Sequence, residues 1–258
     1  MHFTLPDFSG SIVLYMLVFA RTGAMIMLLP AIGDVGVPPR VRLGLALAVS
    51  LALMPAVQHS YPATVTGAGT GMQLAILIAQ EVTAGVVVGA MARIIMSAMS
   101  VAGNLIATQT GLAYAQTLDP SMGEAGAVVG NFLTLLATVL IFATNLHYLA
   151  IGAIQGSYAL IPPGQPLPTA DLAELAIRLV SGSFALGFQL AAPFLVFGFA
   201  LYAALGILAR LMPQLQVFFV AMPINILAGL LLLILVLGTM MTVFLNFYTE
   251  QMGMFIGA

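Results

Sequence analysis

Between residues 104 and 126 the sequence reads NLIATQTGLAYAQTLDPSMGEAG, gathering Gln109, Thr110, Gln116, Thr117, Asp119, Ser121 and Glu124 in a chain that is 62% hydrophobic and 5% charged. Two long apolar segments flank this stretch. If they enter a bilayer, its polar side chains and glycines must find water or protein partners at that depth, and irregular backbone there lines a cavity or pore. A second candidate is the pair Arg21 and Glu81, each about nine residues into the first and third apolar segments. In an alternating topology those segments run in the same direction, so at ~1.5 Å per residue the two charges share a depth and can form an ion pair. Arg93 lies twelve residues beyond Glu81, roughly 18 Å along a regular helix, and cannot share it. Intramembrane charges face protein or water. Three roles stay open for Arg21 and Glu81: a subunit contact, a solute pathway, or an internal pair that only fixes helix packing.

Other chemistry is poorly provided for. His59 and His147 are far apart, no HExxH occurs, and without lysine no phosphate loop can be completed. Ser157-Tyr158 near His147 is not a nucleophile arrangement, and Ser181-Gly182-Ser183 has no histidine nearby. The absence of cysteine removes thiolate catalysis, thiolate metal sites and disulfides. The expectation is a protein that is not an enzyme and uses no cofactor and no metal.

The elements that must position these residues are membrane helices. A mean hydropathy of +1.14, with six arginines, no lysine and eight acids in 258 residues, cannot supply the polar surface of a soluble domain. A net charge of -2 leaves no basic stripe for nucleic acid. Against a requirement of ~20 apolar residues per span, six segments qualify: 12–32, 41–57, 72–101, 128–156, 177–210 and 217–247. The first has Asp7 and no positive residue before it, so it reads as a retained helix rather than a signal peptide. Gly33, Gly36 and the Pro38-Pro39 tandem break the chain between the first two segments. The stiff run PPGQPLP at 162–168 is the widest division, after which Thr169 can cap a new helix with Asp171 and Glu174 in its first turns. The expected organisation is therefore a unit over 1–161 and a helical hairpin unit over 162–258.

Arginine placement gives an orientation: Arg40 and Arg42 put the first turn on the cytoplasmic side and Arg210 the last one. Arg178 opposes this mildly, but Glu174 four residues earlier is spaced to pair with it. Small-xxx-small spacings at Gly85/Gly89, Gly126/Gly130 and Gly152/Gly156 let backbones approach, more often inside a bundle than between subunits. The sixteen methionines are scattered and read as apolar filling.

One pattern covers nearly the whole chain. Arg21 in an apolar first helix is followed by Leu29-Pro30, by Val37-Pro38, and by RVRLGLA at 40–46. Glu81-Val82 with Gly85 and Gly89 comes next, then QTGLAYA at 109–115 and Leu118-Asp119-Pro120. This resembles the FliR family of flagellar export-gate proteins, which has counterparts in virulence type III secretion. Leu190-Ala191-Ala192-Pro193, the turn near Pro213-Gln214, and Pro223 thirty residues after Pro193 resemble the two-helix hairpin of FliQ. A FliP-like unit followed by a FliQ-like hairpin matches the division at 162–168.

The resemblance implies an all-α membrane protein of the bacterial inner membrane, at the flagellar basal body. It implies FliP-like and FliQ-like subunits as ring partners, FlhB- and FlhA-like export proteins nearby, unfolded substrates passing through, membrane lipid around, and no nucleic acid. It further implies that the loop after the third segment plugs the closed pore; on this chain that is 108–126, with Gln109, Gly111, Gln116, Asp119, Pro120 and Gly123. The alternative is a polytopic secondary transporter of a small solute, which calls for related halves with broken helices meeting at mid-membrane. The two units here differ in length and pattern.

Overall fold

The computed structural model describes residues 8–34, 36–61, 71–114, 127–212 and 217–256. Among these the regular structure is all helical: α1 (Phe8–Leu28), α2 (Pro39–Val57), α3 (Gly71–Gln109), α4 (Ala127–Ala143), α5 (His147–Leu160), α6 (Thr169–Leu211) and α7 (Val217–Gly253), with 3₁₀ turns at Gln58–Ser60 and Leu112–Tyr114. Five of the helices are long and apolar enough to cross a membrane, or six spans if the broken pair α4 and α5 counts as one. This is an all-α membrane protein.

The breaks follow from local chemistry. Pro39 occupies the first position of α2, where its missing N–H is not needed. After Gln109 the chain leaves α3 through Gly111 at φ 80°, the left-handed conformation in which helices commonly end. Two expectations are corrected. The apolar run 128–156 is not one helix, because Asn145 adopts φ 60° and divides α4 from α5; asparagine enters that region more readily than most residues. Thr169 lies inside α6 rather than before it, and the Leu172 N–H closes the first turn onto Pro168 O at 3.0 Å.

The chain forms two compact units, each assembled from separated segments. The first takes Met1–Ile95, Thr144–Leu179 and Thr249–Ala258; the second takes Met96–Ala143 and Val180–Tyr248. In the first, Leu14, Leu17, Val18, Val57, Tyr61 and Tyr158 form a buried cluster. Gly85 and Gly89 seat α3 against α1, since a side chain at 85 would strike Arg21 O and one at 89 would come within 2.7 Å of Leu28 Cβ. Gly156 likewise admits the Phe255 carbonyl. In the second unit the backbones of Gly103 and Gly130 pass so closely that a Cβ on Gly103 would overlap Gly130 Cα. These glycine approaches serve packing within the chain; Gly126 lies outside the described residues.

Candidate functional site

Arg21 and Glu81 meet in the first unit. Arg21 Nε donates to Glu81 Oε2 at 2.6 Å and its Nη2 to Oε1 at 3.2 Å, a fork-to-fork pair. A third donor, Nη1, reaches the Ser157 carbonyl on α5 at 3.1 Å, and the guanidinium lies 4.1 Å from the centre of the Tyr158 ring. Tyr61 closes the group edge-on to Tyr158, with ring centroids 5.9 Å apart. Both charged residues are 1% exposed. Taking two ions out of water is costly, and the bidentate contact, the carbonyl and the aromatic face together offset that cost. Burial, aided by the Tyr158 phenol and the Glu81 carboxylate, pushes the Tyr61 phenol far above its ordinary value, so it stays neutral. The pair joins α1, α3 and α5 in a closed pocket of protein.

A second set of charges works at the turn after α1. Arg93 Nε donates to Leu28 O at 3.0 Å, and its Nη2 to Gly33 O at 3.3 Å and Asp34 Oδ1 at 3.5 Å. Arg42 folds back on the same turn, reaching Val37 O at 3.1 Å and Gly33 O at 3.4 Å. Arg40 and Arg210 are exposed, and Arg178 pairs with Glu174 at 2.5 Å on the surface of α6.

The polar stretch begins in the second unit, at the last turn of α3. Thr110 is 1% exposed and its hydroxyl donates back to Ile106 O at 2.9 Å. Asn225 on α7 donates Nδ2 to the Gln109 carbonyl at 3.1 Å. Gly198 on α6 faces the Gln109 side chain, where a Cβ would overlap Oε1, and Gly229 on α7 faces Thr110, where a Cβ would overlap Cγ2. The sequence singled out Gln109 and Gly111 here; Gln116, Asp119, Pro120 and Gly123 lie outside the described residues. Among the described residues no group of three His, Asp or Glu side chains is placed to hold a metal ion.

Residues 12–251 match the family model for bacterial export proteins, family 1. The chain is 41% identical to the flagellar biosynthetic protein FliR of Caulobacter vibrioides, over 93% of this chain and 94% of that one. The chain belongs to the FliR family. FliR of Bacillus subtilis is 28% identical over 91% of this chain and 90% of its own. The Yop proteins translocation protein T of Yersinia pestis is 28% identical over 78% and 76%. These FliR-family relatives carry names of biosynthetic and translocation proteins, not of enzymes.

Sequence reasoning passed over Tyr61, Ser157 O, Asn225, Gly198 and Gly229. Asn225 had the clearest signal, an amide inside the apolar run of α7 two residues past Pro223. Ser157 acts through its backbone and gave none.

Proposed function

We propose that this chain is a subunit of the flagellar type III protein export gate in the bacterial inner membrane, assembling with FliP-like and FliQ-like subunits into a pore for unfolded substrates. FlhB- and FlhA-like export proteins stand beside it in this reading. The family match over residues 12–251 carries it, and the 41% identity to a flagellar biosynthetic protein favours the flagellar over the virulence system. The division into a FliP-like unit over 1–161 and a FliQ-like hairpin over 162–258 belongs to the same proposal, on the residues that carry those resemblances. Large apolar side chains standing out on α6 and α7, such as Phe199 and Leu235 at 79% and 80% exposed, suit a chain that is covered by lipid and neighbouring subunits.

Within the gate, loop 108–126 acts as the plug. Its concentration of polar residues between two apolar segments supports this, as does the fixed departure of the chain from α3 at Gln109 and Gly111. Two experiments test the reading. Affinity capture of the full chain from cells is expected to bring down FliP- and FliQ-like proteins in a stable complex; a monodisperse lone chain that moves a small solute in liposomes overturns it. Shortening 111–123 is expected to leave the complex assembled but open to ions across the inner membrane, since removing loop residues costs little packing. Unchanged permeability in an assembled complex rejects the plug.

A further inference from the structure

We infer that Asn225, together with Gly198 and Gly229, holds the end of α3 at Gln109 and Thr110 as a fixed anchor during export. The inference uses the plug reading only for what lies beyond the anchor.

The last carbonyls of any α-helix lack intrahelical donors. In α3 one of these, Gln109 O, is served by a side chain on another helix, the Asn225 amide at 3.1 Å. An amide buried to 5% exposure in an apolar helix is a costly residue unless it is used. Its donor is used on Gln109, while its Oδ1 has no partner among the described residues. The position therefore accepts an orphaned acceptor in order to hold one backbone atom of α3.

The glycines agree with this. Gly206 on α6 and Gly238 on α7 have open space where a Cβ would stand, so glycine there is not demanded by any neighbour. At 229 it is demanded by Thr110, whose Cγ2 and Cβ would lie 2.2 and 2.8 Å from the added atom, whereas at 198 the added atom would meet the end of the Gln109 side chain, which can swing aside. Two glycine contacts and one hydrogen bond thus converge from two helices on Gln109, the last residue of α3, and on Thr110 after it. Thr110 completes the seat by satisfying its hydroxyl within its own helix, on Ile106 O. The next residue, Gly111, adopts the left-handed conformation at φ 80°. Asn225 is a positioning residue, acting through the backbone of Gln109.

The chain has no cysteine, so Gln109→Cys with Gly198→Cys creates a single engineered pair. A Cβ on Gly198 lies 3.7 Å from Gln109 Cβ, within the ~3.5–4.5 Å span of disulfides. The full-length variant replaces the native copy in flagellated cells, which are oxidised and then reduced. Export of flagellar proteins into the medium is followed alongside non-reducing gels of the assembled complex. A fixed anchor predicts that the crosslink forms and that export by this variant is the same in the oxidised as in the reduced state. Failure to crosslink in an assembled complex, or export lost on oxidation and restored on reduction, overturns the anchor.

A second variant covers the case in which the cysteine pair does not accumulate. Gly229→Ala is expected to displace Thr110 and raise ion leakage of the assembled complex, and Thr110→Gly in the same chain to restore the seal. Absence of leakage in Gly229→Ala, where shortening 111–123 does leak, overturns the anchor and leaves the plug standing. If the shortened loop itself fails to leak, the plug is rejected and the crosslink alone decides the anchor.

Discussion

Two places along α3 handle buried polarity in opposite ways. Near its start, Glu81 and Arg21 are full charges that engage a carboxylate, a carbonyl and an aromatic face and are sealed from water. At its end, Gln109 and Thr110 are neutral and are held by one amide and two absent side chains. The units to which they belong differ in the same sense: among the described residues of the second unit, Arg210 is the only charged one. A buried charge makes an all-or-none demand, because losing one partner strands the other in a low dielectric. A neutral notch makes a graded one. Charge therefore suits a joint that must never open, and small-residue complementarity suits a place where position matters more than strength.

The sharpest way to break this comparison is Arg21→Leu, which strands the Glu81 carboxylate. It is expected to destabilise the chain by ~3–5 kcal/mol, read as loss of assembled protein and a lower unfolding midpoint in detergent. Arg21→Leu with Glu81→Leu is expected to recover much of that loss, whereas additive losses in the double-mutant cycle show that the two do not act together. The next largest effect is expected at Gly103→Ala, which drives a Cβ into the backbone of Gly130, at about 1–3 kcal/mol for overpacking. Gly238→Ala, with open space at its Cβ, is the matched control. It is expected to be neutral or to stabilise the purified chain by up to ~1 kcal/mol through helix propensity, and equal losses at 103 and 238 remove the distinction between demanded and incidental glycines. The smallest effect is expected at Glu174→Gln. Its pair with Arg178 is mostly exposed, with side chains at 64% and 73%, and is worth no more than about 0.5 kcal/mol. A shift comparable to Arg21→Leu contradicts the ranking by burial.

The difference between the two places also sets what could be read from residue types. A charge in an apolar run is rare enough to stand out, and helix rise alone brings Arg21 and Glu81 to one depth. The seat of Gln109 is written in glycines and one asparagine, and glycine occurs 26 times in the chain, so no spacing rule separates Gly198 and Gly229 from Gly206 and Gly238. Their distinction is what faces them, which is tertiary. The same holds for Ser157, whose contribution is a carbonyl that every residue possesses. Hydropathy located the long helices because burial in lipid is a property of composition. It missed the break at Asn145 because an apolar average is blind to one backbone torsion. The polar segment was legible as composition, and its described beginning, at Gln109 to Tyr114, is where geometry adds to it.

The length of α6 has a consequence of its own. Its first turns carry Asp171, Glu174 and Arg178, but the uncharged remainder, 179–209, runs on as far as Arg210. At ~1.5 Å per residue that remainder has a contour of about 46 Å, against a hydrocarbon slab of ~30 Å; even a tilt of ~40° leaves several ångströms in excess. This is hydrophobic mismatch on a scale that lipid adaptation absorbs only at a penalty for every ångström. In the gate proposed above, part of the helix is sheathed by protein rather than by acyl chains, and relief of the mismatch gives the capture of a newly inserted copy into the complex a driving force that no single contact supplies.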